Sequence, residues 1–186
     1  MASDPQDTPP QDTPQLFRSP ELNLSRGELR VVVTTLMLAL FLSALDQTIV
    51  APAMPTIGAA FGDFENLSWV ISAYFLTYTA MAPVFGRLSD IFGRRVMLLW
   101  ALGLFMAGSL ACALAPNMIV LILARGLQGL GGGGLIPLSQ TVISDLVAPK
   151  ERGQFQTYFT ITWVTACIGG PLLGGVFSEI IHWSMI

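Results

Sequence analysis

The feature that most constrains this chain is a set of long apolar stretches with almost no charged residues. Of its 186 residues, 53% are hydrophobic and 11% are charged, whereas an ordinary soluble domain is about 25% charged. Crossing about 30 Å of hydrocarbon takes about 20 helical residues at about 1.5 Å each. Five stretches are long enough. The sequence therefore predicts an all-α membrane protein with transmembrane helices near 31–50, 67–85, 97–115, 118–144 and 155–178.

The first 25 residues differ from this region. They contain the pentapeptide Pro-Gln-Asp-Thr-Pro twice, at 5–9 and 10–14, and almost nothing apolar. Such a segment buries too little surface to offset the entropy of ordering it. We expect a disordered cytoplasmic tail over 1–25, ahead of a helical membrane region over 26–186. The tail lacks the basic and apolar regions of a signal peptide, which predicts that the first apolar helix is retained.

The distribution of Lys and Arg predicts the orientation, because cytoplasmic connections hold the excess of these residues. If the N-terminus is inside, every Lys and Arg outside the predicted helices falls on the inner side: Arg18, Arg26, Arg30, Arg87, Arg94, Arg95, Lys150 and Arg152. The fifth helix would then end on the outer side. The Lys-poor, Ala-rich and Gly-rich composition suits a bacterium, so we expect a multi-pass protein of the plasma membrane, specifically a bacterial inner membrane.

Composition also argues against several classes of function. The net charge is -3 and the chain has a single Lys, so it offers no basic surface for nucleic acid. The two cysteines lie in apolar runs without disulfide or metal-ligand spacing. We find no nucleophile–base pair, metal cluster or phosphate loop. We therefore expect a protein that is not an enzyme and that needs no cofactor or metal. Its expected partner is the lipid bilayer, with no nucleic acid.

Asp46 and Arg125 are the two ionisable residues placed deep inside predicted helices. Each is costly there unless it is paired or lines a wet cavity. At about 1.5 Å per residue, Asp46 lies about 8 Å from the outer boundary and Arg125 about 10 Å from it, which predicts that they meet. One interpretation is a static pair that fixes the first helix to the fourth. The other, which we favour, is a proton-coupling site, because intramembrane ionisable residues usually mark ion pathways.

Other polar and small residues in the helices have less specific interpretations. Lone aromatics in membrane helices usually pack or anchor at the interface, but some polar and aromatic residues are candidates for a substrate cavity: Gln47, Tyr74, Tyr78 and Gln128. Glycines 129, 131 and 134 spell G-x-G-x-x-G, but a dinucleotide site needs a preceding strand that is missing here. We instead expect Gly129 with Gly133, and Gly170 with Gly174, to let helices approach closely.

The short connection between the predicted second and third helices reads Gly-Arg-Leu-Ser-Asp-Ile-Phe-Gly-Arg-Arg over 86–95. Gly86 and Gly93 are expected to permit a tight turn. The order of Gly86, Asp90, Gly93 and the pair Arg94–Arg95 resembles the signature loop of the major facilitator superfamily. Ile91 departs from the family pattern, in which a basic residue is usual. The resemblance implies gating contacts at the inner face, with Asp145 as a partner for Arg94 or Arg95.

Three further motifs extend this resemblance over 45–175. Residues 45–50, followed by two prolines, resemble the first-helix motif of the fourteen-helix drug:proton antiporter branch. Residues 123–129 are similar to the fourth-helix motif, whose arginine, here Arg125, is associated with proton coupling. Residues 170–175 resemble the fifth-helix motif of exporters, which in this chain has four characteristic residues: Gly170, Pro171, Gly174 and Gly175.

The resemblance implies a partial N-terminal half of a transporter whose two halves have six helices each. It implies proton-coupled efflux of small amphipathic or cationic molecules by alternating access. The partners so implied are protons and, in the full-length protein, a small-molecule substrate. We expect that this chain alone does not transport. Two alternatives remain open at this stage. One is an exporter of a specific metabolite or siderophore. The other is a truncated membrane protein that does not transport.

Overall fold

A computed structural model describes residues 26–147 and 152–180, and within them the chain forms five α-helices. Their bounds are α1 Arg26–Phe61, α2 Leu67–Phe92, α3 Arg94–Ala113, α4 Met118–Leu146 and α5 Arg152–Ile180. The predicted all-α fold is confirmed. The predicted tail over 1–25 and the inner-side Lys150 lie outside the described residues. We call the end of the bundle with the α1–α2 turn the Gly62 end and the opposite one the Gly93 end.

Four of these helices, α1 to α4, are long and apolar enough to cross a membrane. Helix α5 is the fifth helix that the sequence predicted. Its first half carries several hydroxyl and amide side chains. Its threonines each donate a hydrogen bond to the backbone carbonyl four residues earlier, which satisfies the hydroxyl within the helix: Thr157, Thr160, Thr162 and Thr165.

Helix α1 is eleven residues longer at its C-terminal end than the sequence predicted, because the helix continues from Val50 to Phe61. Pro52 and Pro55 lie inside it. A proline removes one backbone hydrogen bond, but in membrane helices neighbouring groups can satisfy the freed carbonyl. Ala53 in this extension is fully buried against neighbouring helices, so tertiary packing keeps the segment helical.

Helix α2 also extends beyond its predicted end and reaches Phe92. Gly86 consequently lies inside a helix, and the prediction that it takes part in a turn was wrong. The connection to α3 is the single residue Gly93, whose φ of +89° is one that side-chain-bearing residues rarely adopt. The ends of α3, α4 and α5 lie within three residues of the predicted positions.

Helix α4 is the centre of the bundle and packs closely along both α2 and α3. Glycines make this approach possible. A Cβ at Gly129 would overlap the backbone carbonyl oxygen of Tyr74, and one at Gly133 would overlap that of Tyr78. On the α3 side, a Cβ at Gly131 would overlap the backbone of Phe105. The Gly129–Gly133 spacing therefore brings α2 and α4 together, as the sequence indicated.

Helices α1 and α5 form a second closely packed set. A Cβ at Gly170 would overlap Thr48, and one at Gly174 would lie 2.8 Å from Pro52 Cγ and 2.9 Å from the carbonyl oxygen of Ile49. The α1–α5 pair meets the α2–α3–α4 group mainly along α1 and α4, in a less extensive contact. We call this contact the seam.

Apolar residues close the seam at both ends. At the Gly62 end, Ile49 and Val50 of α1 join a buried cluster with Met118 and Leu121. At the Gly93 end, the buried residues Leu36, Ile143 and Val147 form another cluster. Between these two clusters the seam contains polar side chains, which form the candidate site.

Candidate functional site

The centre of the site is an ion pair across the seam between Asp46 of α1 and Arg125 of α4. Arg125 Nη1 donates to Asp46 Oδ2 at 2.9 Å and to Oδ1 at 3.1 Å. The Asp46 side chain is 15% exposed and the Arg125 side chain is 6% exposed. The two residues thus meet at the common depth that helix geometry predicted, and the pair is largely withdrawn from the surroundings of the bundle.

Gln128 completes this arrangement. Its Oε1 accepts a hydrogen bond from Arg125 Nη1 at 2.6 Å, and its Nε2 donates to Asp46 Oδ1 at 2.9 Å. Arg125 and Gln128 are three residues apart on α4 and so share one face of that helix. The three side chains form a closed triangle in which the amide turns its oxygen to the cation and its nitrogen to the anion. We call this triangle the seam triad.

Tyr74 of α2 forms one wall of the seam triad. Its ring lies under the Arg125 guanidinium, with Cζ 4.9 Å from the ring centroid, in a cation–π contact. Tyr74 is 1% exposed, and Tyr78 stacks against it with 5.8 Å between ring centroids. A Cβ at Gly132 would lie 2.6 Å from the Tyr74 hydroxyl oxygen, so this glycine makes room for the ring. The arginine therefore has an anionic partner, an amide partner and an aromatic partner.

A contact from α3 completes the surroundings, since the Cys112 thiol donates to Gln128 Oε1 at 3.6 Å. Four helices thus contribute to the site. Several buried polar atoms in α1, α2 and α4 have no hydrogen-bond partner within the described residues: Ser43 Oγ, Gln47 Nε2, Tyr74 Oη, Arg125 Nε and Ser139 Oγ. Ser43, Asp46 and Gln47 share one face of α1 by their spacing.

Chemically, the site offers a carboxylate held by a guanidinium that keeps its charge. Among the described residues there is no group of three His, Cys, Asp or Glu side chains able to hold a metal ion. Of the residues proposed from sequence to line a substrate cavity, Gln128 and Tyr74 belong instead to the immediate surroundings of the ion pair. Gln47 and Tyr78 are partly buried beside them.

The basic connection at the Gly93 end forms a second, more exposed polar cluster. Arg94 Nε lies 2.6 Å from Asp145 Oδ2, which joins the start of α3 to the end of α4. Asp90 is farther away, with its Oδ1 3.9 Å from Arg94 Nη2. Of the two arginines considered as partners for Asp145, the structure thus selects Arg94. Arg95 is exposed, and no ion pair involves it within the part of the chain described.

The residues of the predicted helix-five motif divide into two kinds. Gly170 and Gly174 are buried and face α1, whereas Pro171 is exposed. Gly175 is partly buried, and a Cβ added there would have no atom within 4 Å. The two buried glycines therefore set the distance between α5 and α1, while the proline lies on the face turned away from that contact.

Sequence reasoning missed two features of this site. It did not identify Gln128 as the bridge between the charges, although its position three residues after Arg125 was a signal that both share a face. It also did not identify Cys112 as a partner of that amide. The α3–α4 contact that joins them depends on Gly108, where a Cβ would overlap the Gln128 backbone, and no spacing within one helix reveals such a contact.

Comparison with known proteins agrees with the family resemblance seen in the sequence. The model of the family described as Major Facilitator Superfamily matches residues 36–186. The chain is similar to "Efflux pump dotC" of Dothistroma septosporum, with 48% identity over 153 residues covering 82% of this chain and 26% of that protein. It is 41% identical over 156 residues to "Multidrug transporter protein MdtP" of Bacillus subtilis, covering 84% and 29% of the two chains.

A third relative, "Multidrug resistance protein fnx1" of Schizosaccharomyces pombe, is 42% identical over 169 residues, covering 88% of this chain and 32% of that protein. This chain therefore spans about a quarter to a third of the length of the curated relatives it matches.

Proposed function

This chain belongs to the major facilitator superfamily and is a multi-pass membrane protein, and from this premise we propose that it takes part in proton-coupled export. The proposed substrates are small amphipathic or cationic molecules, moved by alternating access, and the proposed branch is that of the fourteen-helix drug:proton antiporters. The names of the relatives, which include an efflux pump and multidrug transporters, support export.

The membrane we propose is the plasma membrane, with the N-terminus and the Gly93 end on the inner side. The excess of Arg at that end supports this orientation. We do not carry forward the narrower expectation of a bacterial inner membrane, because relatives from fungi match this chain as well as those from Bacillus subtilis do.

The observation that carries the proposal is the seam triad. A proton that reaches Asp46 neutralises the carboxylate, and Arg125 then loses the anion that it contacts through both oxygens. The Tyr74 ring and the side-chain Oε1 of Gln128 remain as partners of the Arg125 cation. Because the ion pair is a polar link between α1 and α4, its loss weakens the seam. Substrate release follows this change, and return of the proton to the inner side resets the site.

The cluster at the Gly93 end takes the gating role in this proposal. The Arg94–Asp145 pair fixes the start of α3 to the end of α4, and Asp90 stands next to it. Gly86, Gly93 and Arg95 complete the motif, with Gly93 as the link between the two helices. In the same proposal α5 bends at the Gly170–Pro171 segment, where the missing proline N–H removes a backbone hydrogen bond.

The test is efflux driven by a pH gradient in cells that express the complete gene product, with the fluorescent compounds ethidium and umbelliferone as probes. Asp46→Asn is expected to abolish gradient-driven efflux of any probe that the unaltered protein exports, with efflux expressed per molecule of protein inserted in the membrane. Asp63→Asn is the matched control, because Asp63 lies in the turn between α1 and α2, away from the seam. Unchanged efflux by the Asp46→Asn variant would contradict the proposal.

A further inference from the structure

Two adjoining cavities lie on the side of the seam where α4 faces α5. Their volumes are about 350 Å³ and about 230 Å³, and both are lined by Gln140 of α4 and by Gln156 and Phe159 of α5. Because they share these residues the two cavities adjoin, and we call them together the α4–α5 groove. The larger cavity falls within the size range of small-molecule sites, about 300–1,000 Å³.

The lining of this groove combines aromatic rings with amides. Phe155 and Phe159 lie towards the Gly93 end, and Trp163 lies farther along α5. Gln140 and Gln156 are exposed, and their side-chain amides make no hydrogen bond within the described residues. Both amides are therefore free to bind an occupant that can form hydrogen bonds.

The hydroxyls that line the groove offer less to an occupant. Thr141 donates to the carbonyl of Pro137, and Thr160 donates to that of Gln156. The two glutamine amides are therefore the main free hydrogen-bonding groups of the lining, each with donors and an acceptor. Together with the rings they present flat apolar surface flanked by neutral polar groups.

The charge of the groove separates two classes of occupant. Among the described residues that line it, none is Asp or Glu, and Arg152 is charged. Arg152 Nη2 donates to the carbonyl oxygen of Ser144 at 2.7 Å, near the C-terminal end of α4. A cationic occupant would find an arginine and no anion here. The lining therefore selects against cations.

We propose that the α4–α5 groove is a binding subsite for uncharged planar aromatic molecules that carry hydroxyl or carbonyl groups. The rings of Phe159 and Trp163 pack against the aromatic plane, and the amides of Gln140 and Gln156 bind its polar substituents. This inference rests on the proposed export function and narrows the substrate class to uncharged amphipathic aromatics. The seam triad and the groove are separate, since no residue of the triad lines either cavity.

The first arm of the test measures transport by the complete gene product, with umbelliferone as the neutral aromatic probe and ethidium as the cation. Gln140→Leu and Gln156→Leu are each expected to raise the KM for umbelliferone by about threefold to tenfold, the effect of one lost hydrogen bond. We expect no comparable effect on any ethidium efflux. Gln154→Leu is the matched control, because Gln154 is exposed on the same helix but does not line the groove.

The second arm measures binding without transport, as quenching of tryptophan emission by umbelliferone in the purified complete protein. Quenching is expected to weaken in Trp163→Phe, in which the other three tryptophans of this chain remain. In Gln140→Leu and Gln156→Leu it is expected to require a higher umbelliferone concentration. Ethidium is expected not to compete. If the protein exports neither probe but this quenching is present and depends on the two glutamines, the subsite stands and the proposed export function fails.

Three results would overturn the inference whatever the transport result. One is the absence of umbelliferone quenching at Trp163. Another is equal competition by ethidium, which would show that the groove does not discriminate by charge. The third is that the glutamine variants lower the amount or thermal stability of the protein without changing umbelliferone affinity, which would show that another part of the protein packs into the groove.

Discussion

Neutralising one member of the ion pair across the seam should cost far more stability than neutralising both. The pair consists of Asp46 and Arg125, 2.9 Å apart, with side chains 15% and 6% exposed. At an effective dielectric constant of about 20, unit charges at this distance attract each other by about 6 kcal/mol. Removing both charges also removes two desolvation penalties of several kcal/mol each. Removing only one of the two charges leaves the other buried without an opposite charge beside it.

We therefore expect Asp46→Asn to lower the free energy of unfolding by about 3–5 kcal/mol, because Arg125 cannot neutralise itself by losing its proton. Arg125→Gln should cost less, since a carboxylate, unlike a guanidinium, can become neutral. The double variant should be more stable than the sum of the single effects predicts, by about 3 kcal/mol.

Reversible unfolding of the complete protein in mixed detergent micelles, followed by circular dichroism, measures these differences. The same double-variant cycle on Arg94 and Asp145 provides a control, because those side chains are 31% and 46% exposed and the expected coupling is at most about 1 kcal/mol. The reasoning would be refuted if the Asp46–Arg125 coupling were no larger than this control, or if Arg125→Gln were the costlier single change.

Three further predictions concern other parts of the chain. Gly133→Ala should lower the free energy of unfolding by about 1–3 kcal/mol, because the added Cβ overlaps backbone of α2. A Cβ at Gly103 meets no atom within 4 Å, so Gly103→Ala should be neutral or stabilising. Asn117→Ala should cost about 1 kcal/mol in the same unfolding assay, since the Asn117 side chain accepts from Val120 N at the start of α4. Hydrogen bonds from Asn66 lower the pKa of Asp63. The stability that they give this turn is therefore lost as the pH falls through that lowered pKa. Asn66→Ala should raise the Asp63 pKa, as measured by NMR titration.

The helical architecture and the central ion pair were accessible from the sequence because both follow from distances along a helix. The length of the apolar runs predicts the spans, and the rise per residue brings Asp46 and Arg125 to one depth. Likewise, the spacing of Gly129 and Gly133 predicts a close contact without naming the partner helix. In each case the information lies within a single segment of chain.

The features that the sequence did not reveal depend on contacts between segments. Helix α1 passes through Pro52 and Pro55 because packing on neighbouring helices stabilises it there, and local propensity favours the opposite. The roles of Tyr74 and Gln128 are determined by which helix faces which. The groove that glutamines and aromatic residues of α5 line likewise depends on how α5 faces α4.

The link at Gly93 has a practical consequence for work on this protein. Only one residue separates the two helices there, so a rotation of α2 must also move the start of α3. A fluorophore attachment site or an epitope inserted at this joint would force the two helices apart and disturb the Arg94–Asp145 contact. The longer turn over 62–66 tolerates such additions better, which makes it the preferable place for a reporter of movement.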